Sequence, residues 1–202
     1  MRIIYRRRMP RSSRADTARH HDEIVDAASR LFRARGVAGV GVPEVMAEAG
    51  LTHGGFYRHF PSKDALAAAA VEAAFAQRAD RVRQLHDQHD GDPVATRAAF
   101  VEQYLASTHR DTPEQGCPNA ALAVEVGRTE PDSPVRAAYG AAVRASVTRL
   151  AELIEQGADQ HEREDAVLRD LAALVGAVVL ARATAGDAIS DRVLDAVREG
   201  LL

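Results

Sequence analysis

The most regular pattern in the sequence is a run of apolar residues spaced about four positions apart between Val135 and Ile154. Spacing of this kind places apolar side chains on one face of an α-helix. Similar spacing recurs along most of the chain, and no segment alternates apolar and polar residues as a half-buried strand does. The pattern therefore predicts an all-α protein, and the run itself contains Val135, Tyr139, Val143, Val147, Leu150 and Ile154.

The composition is consistent with a helical protein and narrows its class. The 202 residues are 46% hydrophobic but only 4% aromatic, which is enough apolar material for one domain and a small additional module. The sequence has no apolar run of the length that spans a bilayer, so we predict no membrane partner. Its single cysteine, Cys117, suits a reducing cytoplasm.

Charge is divided unevenly along the chain, although the formal net charge is only −3. Residues 1–63 carry 12 Lys and Arg against 6 Asp and Glu, whereas residues 64–202 carry 14 against 23. A basic first part followed by an acidic remainder indicates a polyanionic partner for the first part. The alternative is that its arginines belong to a disordered arm and are merely solvated. We predict such a disordered basic arm at residues 1–18.

Three short helices are predicted after this arm. Glycines end the first two, at Gly36 and Gly50, and the third lies between a Thr52 cap and Pro61. A tight turn between the second and third of three such helices describes a helix-turn-helix, whose last helix lies in the DNA major groove. We therefore predict a DNA-binding domain at residues 19–65.

The third helix and the start of the next one break two ordinary helix rules. Gly54 and Gly55 each cost about 1 kcal/mol in helix propensity. Either they merely fray the helix, or their missing side chains let the backbone approach a ligand closely. Lys63 follows the cap Ser62 in the first helical turn, where the helix dipole disfavours a cation. A phosphate there would accept from both the helix amides and the ammonium. We expect Leu51, Phe56 and Phe60 to point inward, and His53, Tyr57, Arg58 and His59 to face solvent.

The segment GVAGVGVPEVMAEAGLTHGGFYRHFPSKDAL resembles the DNA-binding head of the TetR family of bacterial repressors. The resemblance covers about residues 20–68 and extends from LFRARG through the AGL turn to FYRHF and PSKDAL. Family members usually begin the second helix with a threonine that can touch a phosphate, and this chain has Gly41 and Val42 there.

The resemblance implies a homodimeric, ligand-responsive repressor that binds a near-palindromic double-stranded DNA operator. A small molecule would enter a C-terminal ligand-binding and dimerisation domain at residues 66–202 and separate the two heads. By the same resemblance, the residues that face bases are His53, Gly54, Gly55, Tyr57 and Arg58. The residues that hold phosphates are Tyr57, His59 and Lys63.

The last two predicted helices are apolar on more than one face, with Val178, Val179 and Leu180 in succession. A helix of this kind is buried, either inside its own chain or against a partner. The resemblance favours a partner, because the dimers of the family form a four-helix bundle from these helices. The predicted dimer interface contains Leu171, Val175, Val178, Val179, Val193, Leu194 and Val197.

We predict a ligand pocket among the middle helices, with Glu125 and Arg128 as the nearest ionisable residues. Its predicted lining is Phe100, Tyr104, Cys117, Leu122, Val126, Tyr139 and Val143. Because this lining is mostly apolar and partly aromatic, we expect a small, mostly apolar effector of aromatic or electrophilic character.

The segment QGCPNAALAVE resembles one found in a subset of TetR-like proteins, some of which sense electrophiles through a cysteine. Cys117 stands at a predicted helix start, where the helix amides stabilise a thiolate. Two interpretations stay open: Cys117 is a sensor of electrophiles or oxidants, or it is a small apolar filler.

Other functions have less support in the sequence. The histidines of HDQHD, His86 and His89, lack a placed third ligand, so we predict no metal and no other cofactor. The sequence has no paired nucleophile and base and no phosphate loop after a strand, which argues against an enzyme. A helical protein-interaction module without DNA binding is the remaining alternative.

Overall fold

The computed structural model describes residues 14–156 and 159–202. Over these residues the chain forms nine α-helices and two short 3-10 helices and contains no strand, which confirms the predicted all-α class. None of these helices has the length and apolar character needed to cross a membrane. The α-helices are α1 Arg14–Arg35, α2 Val42–Glu48, α3 Lys63–Gln88, α4 Pro93–Tyr104, α5 Ser107–Asp111, α6 Pro118–Val126, α7 Pro134–Ile154, α8 Gln160–Ala183 and α9 Ala188–Leu201, and the 3-10 helices are His53–Arg58 and Pro113–Gln115.

Helix α1 already includes Arg14, the first described residue, whereas the sequence predicted no helix before residue 19. The disordered arm predicted at residues 1–18 is wrong for its last part, and its first thirteen residues lie outside the described ranges. The first turns of α1 are polar, and Arg19 pairs with Asp16 at 3.3 Å and with Glu23 at 3.0 Å. Such pairs one turn apart support a helix that buries little apolar surface.

The first two helices end at glycines, as predicted. Gly36 and Gly50 have φ angles of +76° and +70°. Residues that carry a Cβ adopt this left-handed backbone conformation only at a cost in conformational energy. After α2, the Leu51 amide donates to the Met46 carbonyl at 2.8 Å and closes the turn. These two turns bring α1, α2 and the His53–Arg58 segment together in one small bundle.

The third helix of the head is a six-residue 3-10 helix, His53–Arg58, in place of the expected short α-helix. The predicted Thr52 cap is wrong in one respect, since its side chain makes no capping hydrogen bond. Its carbonyl accepts from the Gly55 amide at 3.0 Å, so the backbone itself closes the first turn. Two adjacent glycines lower helix propensity and favour a short, tight helix here.

Two hydrophobic cores are joined by α3. The first core combines the head with the first half of α3, from Leu66 to Phe75, and with the end of α6. The second core lies in the body and includes Val82 and Leu85 of α3 with residues of α4, α7, α8 and α9. The predicted boundary between residues 19–65 and 66–202 therefore falls in the first turn of a helix that supports both parts.

His109 ties the end of α4 to the start of α6. The Cys117 amide donates to His109 Nε2 at 2.9 Å, and Nδ1 lies 2.6 Å from the Tyr104 carbonyl. An amide donor at Nε2 requires a lone pair there, so the proton is on Nδ1 and the imidazole is neutral. Burial lowers the pKa of His109 to about 4, and the positive charges of Arg78 and Arg182 contribute in the same direction.

Acid should therefore destabilise this junction. The unfolded histidine has a pKa of about 6.5, so between that pH and about 4 the unfolded state binds more protons than the folded state. We expect His109 to account for a loss of about 1–2 kcal/mol in the free energy of unfolding between pH 7 and pH 5. Urea denaturation at a series of pH values measures this loss.

His109→Gln should be less stable than the wild type at pH 7 and should lose less stability on acidification. His161→Gln, at an exposed histidine, is the matched control and should keep the wild-type pH dependence. Equal pH dependence in His109→Gln and the wild type would contradict the role of His109.

Candidate nucleic-acid interface and body cavity

The 3-10 helix His53–Arg58 presents polar and aromatic side chains to solvent. Tyr57 is 74% exposed, and His53 and Arg58 are also exposed. The opposite side of the segment is fixed in the head core by Phe56, whose exposed fraction is 1%, and by Phe60 just beyond it. These five residues have the orientation expected from sequence, whereas His59, which was also expected to face solvent, is half-buried.

Gly54 and Gly55 are not required by the packing of the chain itself. A Cβ built on Gly54 would meet no atom within 4 Å, and one on Gly55 would lie 3.6 Å from Met46 Cε, an ordinary contact. Neither glycine has a positive φ angle. The absence of side chains at these two positions therefore has no cause inside the described residues.

Lys63 is the first residue of α3. The preceding Ser62 caps the helix, because its hydroxyl accepts from the Ala65 amide at 3.1 Å. Lys63 is half-buried and forms no ion pair with any carboxylate of the described residues. A cation without an anionic partner thus lies at the positive end of a long helix dipole, where an added anion would be stabilised twice.

His59 lies in a group of positive or potentially positive side chains. Its ring meets that of His20 edge-on at 6.3 Å, and the neighbouring His21 stacks on Phe60 at 4.7 Å. Partial burial lowers the pKa of His59, and His21, His20 and Arg58 lower it further. In the absence of an anion, His59 is therefore held in its neutral form at neutral pH.

The body contains a cavity lined by residues of α3, α4, α6, α7 and α8 together with Cys117. Phe100, Tyr104 and Cys117, all predicted for the ligand pocket, line this cavity. The cavity leaves about 20 Å³ for the centre of a water-sized sphere, which is room for about one water. The full lining is Phe75, Arg78, Ala79, Val82, Phe100, Tyr104, Cys117, Pro118, Asn119, Ser146, Arg149, Leu150 and Leu171.

Four other residues predicted for the pocket do not line the cavity. Leu122 and Val126 are buried in the first core, next to the head, because only the start of α6 reaches the cavity. Val143 packs against both cores. Tyr139 lies behind the cavity wall, and its hydroxyl donates to Asn119 Oδ1 at 2.6 Å.

The charged residues at the cavity also differ from the prediction. Arg78 and Arg149 line it, whereas Glu125 and Arg128 do not. The guanidinium carbon of Arg78 lies 5.0 Å from the ring centre of Phe100 and 5.1 Å from that of Tyr104.

Helix α6 is attached to the head near both of its ends. At its far end, the Glu125 carboxylate accepts from the Val37 amide at 2.7 Å and from the Ala38 amide at 2.6 Å. At its near end, the Arg33 guanidinium of α1 donates to the Gly116 carbonyl at 3.3 Å. The segment that supplies Cys117, Pro118 and Asn119 to the cavity is thus bonded directly to the head.

Arg33 is almost fully buried between head and body, with an exposed fraction of 4%. It also donates to the Ser29 carbonyl at 3.1 Å and to Gln77 Oε1 at 2.8 Å. Burial, followed by the charge of Arg81, lowers its pKa to about 10, so it remains a cation at neutral pH. The bond to Gly116 is therefore charge-assisted and shielded from water.

The surface predicted for dimer contact needs correction. Val178 is fully buried and Leu194 is 2% exposed, so both pack inside the second core of their own chain and offer no surface to a partner. Leu171 lines the cavity. Val175, Val193 and Val197 are partly buried against the same core. The apolar side chains that these helices expose are Leu168 at 48%, Val179 at 37%, Leu180 at 56% and Ile189 at 39%.

Two family profiles match the chain. The profile described as bacterial regulatory proteins of the tetR family matches residues 24–70. The profile described as the tetracyclin repressor-like C-terminal domain matches residues 93–197 and by itself spans half of the chain.

Curated relatives carry related descriptions. The HTH-type transcriptional repressor NemR of Escherichia coli K12 is 26% identical over 153 residues, which are 76% of this chain and 74% of that protein. The HTH-type transcriptional regulator AcrR of Shigella flexneri is 27% identical over 100 residues, which are 50% of this chain and 46% of that protein.

Solved structures share the fold. The crystal structure of the reduced form of E. coli NemR superposes with a TM-score of 0.71 at 20% identity, covering 90% of this chain and 96% of that chain. A TetR transcriptional regulator from Chloroflexus aurantiacus superposes with a TM-score of 0.69 at 27% identity, covering 93% of this chain and 94% of that chain. The chain therefore belongs to the TetR family of bacterial transcriptional regulators, which are DNA-binding proteins and not enzymes.

Proposed function

We propose that this chain is a homodimeric repressor that leaves a near-palindromic DNA operator when a small, mostly apolar effector enters the body cavity. The observation that carries the proposal is the attachment of α6. Its first residues help to line the cavity, and Arg33 and Glu125 bond its two ends to the head. A ligand that shifts α6 would therefore shift the head as well.

The exposed residues of the head are the proposed DNA contacts. Side chains that project from His53, Tyr57 and Arg58 suit base edges and phosphates, and an arginine is the commonest specific partner of guanine. Gly54 and Gly55 would let the backbone approach the groove closely. This close approach would explain why both positions are glycine although the chain itself has room for side chains there. His59 and Lys63 are proposed to hold phosphates, with Tyr57 able to contact either.

Removing the Lys63 charge should weaken binding to all DNA sequences alike. Lys63→Ala should lower the salt dependence of binding by about one phosphate contact, because one fewer counterion is released. The measurement is a fluorescence titration at several salt concentrations, on an operator selected by the purified protein from random DNA and on an unrelated duplex. Arg83→Ala, at an exposed arginine paired with Asp80 on α3, should leave the slope unchanged. An unchanged slope in Lys63→Ala would exclude Lys63 from the DNA surface.

Coupling between cavity and head is proposed to run through both attachments of α6. The Glu125 carboxylate uses both oxygens to hold two successive amides after α1, and Arg33 holds the carbonyl that precedes Cys117. An effector shifts a two-state equilibrium only if it binds one state better than the other. Expansion of the cavity would displace α6, so binding would favour the head position that does not fit DNA.

Glu125→Gln tests this attachment without any effector. The amide keeps one acceptor oxygen but loses the charge, so the two bonds to Val37 and Ala38 should weaken and the head should loosen. We expect a loss of about 1–3 kcal/mol in local stability, seen as faster hydrogen exchange of the amides at residues 36–38. Glu130→Gln, an exposed carboxylate beyond the same helix, is the control. Unchanged exchange in Glu125→Gln would refute the attachment.

Homodimer formation is proposed to use the apolar side chains that α8 and α9 leave exposed. Leu168 and Val179 lie eleven positions apart, three turns of one α-helix, and therefore project on the same side of α8. Val175, between them, belongs to the same side and is only partly buried. A continuous apolar stripe on an exposed helix face is typical of a subunit interface.

Val179→Asp should break this interface without unfolding the chain. Val179 is exposed, so the carboxylate remains solvated in the monomer but would be buried in the dimer. Sedimentation velocity should show a monomer, and circular dichroism should show unchanged helix content. Val94→Asp, which adds the same charge at a 62% exposed valine on α4, should remain dimeric. A normal dimer of Val179→Asp would put the interface elsewhere.

Sensing through Cys117 is the second candidate. Cys117 is 3% exposed on the outside of the chain yet lines the cavity, so a reagent that enters the cavity would reach its sulfur. With one cysteine, sensing would require alkylation, sulfenic acid or a disulfide between subunits. A protein-interaction role without DNA binding has no support from these features.

A further inference from the structure

The Arg78 side chain carries two hydrogen-bond donors that the chain leaves unused. Its Nε and Nη2 atoms are both buried and make no hydrogen bond within the described residues. These two nitrogens form one edge of the guanidinium, and their N–H bonds point in the same direction. A buried cation with an unpaired edge is unfavourable unless an anion completes it.

The surrounding residues do not supply that anion. Among the residues that line the cavity, which belong to the described part of the chain, none is an Asp or a Glu. The aromatic rings of Phe100 and Tyr104 attract the face of the guanidinium but do not accept its in-plane N–H bonds. Arg78 is thus stacked in place with its polar edge unsatisfied.

Two other arginines of the same region, Arg33, which is buried, and Arg182, which is half-buried, are satisfied by the chain. Arg33 donates to the carbonyls of Ser29 and Gly116 and to Gln77. Arg182 donates to the carbonyls of His109 and Arg110 at 2.8 and 3.0 Å. Arg78 differs from them because the chain provides its stacking partners but no acceptor.

The Tyr104 hydroxyl is a third unused donor in the same cavity. Tyr104 is fully buried, and its hydroxyl has no hydrogen-bond partner of ordinary geometry within the described residues, its neighbour being the weakly polar thiol of Cys117. Burial raises the pKa of Tyr104 well above its usual value, so the phenol keeps its proton and can donate. Most of the remaining lining is apolar, including Phe75, Val82 and Leu150.

We propose that this cavity recognises the carboxylate of a small, otherwise apolar acid. The two carboxylate oxygens accept from the Nε–H and Nη2–H of Arg78 in a side-on pair, and the Tyr104 hydroxyl donates to one of them. The apolar part of the acid lies against the hydrophobic lining. A single guanidinium edge matches the charge and planar geometry of one carboxylate better than those of a dianionic phosphate.

The proposal rests on the proposed function in taking this cavity as the effector site. Because the cavity has room for only about one water, the acid must widen it and thereby displace α6. The mostly apolar effector expected from sequence thus gains one anionic group, because Arg78 did not belong to the predicted pocket.

Calorimetric titration of the full chain in the absence of DNA tests the recognition directly. The probes are 4-phenylbutyrate and cinnamate, each paired with its neutral amide of nearly the same shape. At least one acid should bind about ten-fold more tightly than its amide. Arg78→Met keeps an unbranched side chain against the aromatic rings and should bind acid and amide alike. Arg83→Met, an exposed arginine on the same helix, should behave as the wild type.

Two further variants keep the test decisive if Arg78→Met does not fold. Tyr104→Phe removes one donor and should weaken binding of the acid more than binding of the amide, because the bond to the carboxylate is charge-assisted. His161→Gln, at an exposed histidine of α8 outside the cavity lining, should bind the acid normally. Binding of acids and amides with equal affinity, or of neither, would overturn the proposal. Failure of the chain to bind DNA would count against the proposed function and leave these titrations unaffected.

Discussion

The architecture depends on one uninterrupted helix that belongs to both parts of the molecule. Helix α3 has 26 residues and is therefore about 39 Å long. Its first half, around Leu66 and Val71, completes the core of the head, and its second half, around Val82, completes the core of the body. Because one face is apolar along both halves, the helix cannot slide or rotate in one core without disturbing the other. Lys63 at its first turn and Arg78 in its second half are thus held in a fixed relation.

The second connection between the two parts is polar and shorter in range. Helix α6 meets the head through one buried guanidinium, that of Arg33, and one carboxylate, that of Glu125. Such bonds are directional, so a small displacement of α6 weakens them, whereas the close apolar packing along α3 resists displacement in either core. The molecule therefore combines a stiff axis with an adjustable contact beside it. In the proposed response, this combination would let the head change its orientation without unfolding either core.

Much of the fold was predictable from sequence, and the reasons are local. The spacing of apolar residues predicted where the helices lie. Gly36 and Gly50, which adopt left-handed conformations, marked the ends of the first two. The rotation of each helix about its axis was not predictable, because it depends on neighbours distant in sequence. For this reason Val178, on a helix apolar on several faces, was assigned to a partner although it packs in its own chain. Arg78 was missed for the same reason, yet it stands three residues after Phe75 and four before Val82, on an apolar stripe where a charge is unexpected.

The small size of the cavity has a consequence for the speed of the response. A site with room for about one water cannot admit a larger molecule until the surrounding helices have moved apart. Only the fraction of molecules that is open at a given moment can bind. The apparent dissociation constant is therefore the intrinsic constant divided by that fraction. At high concentration the observed association rate then stops rising and equals the rate of opening. If the cavity is the effector site, as proposed, the time of the response would be limited by this opening and not by the supply of ligand.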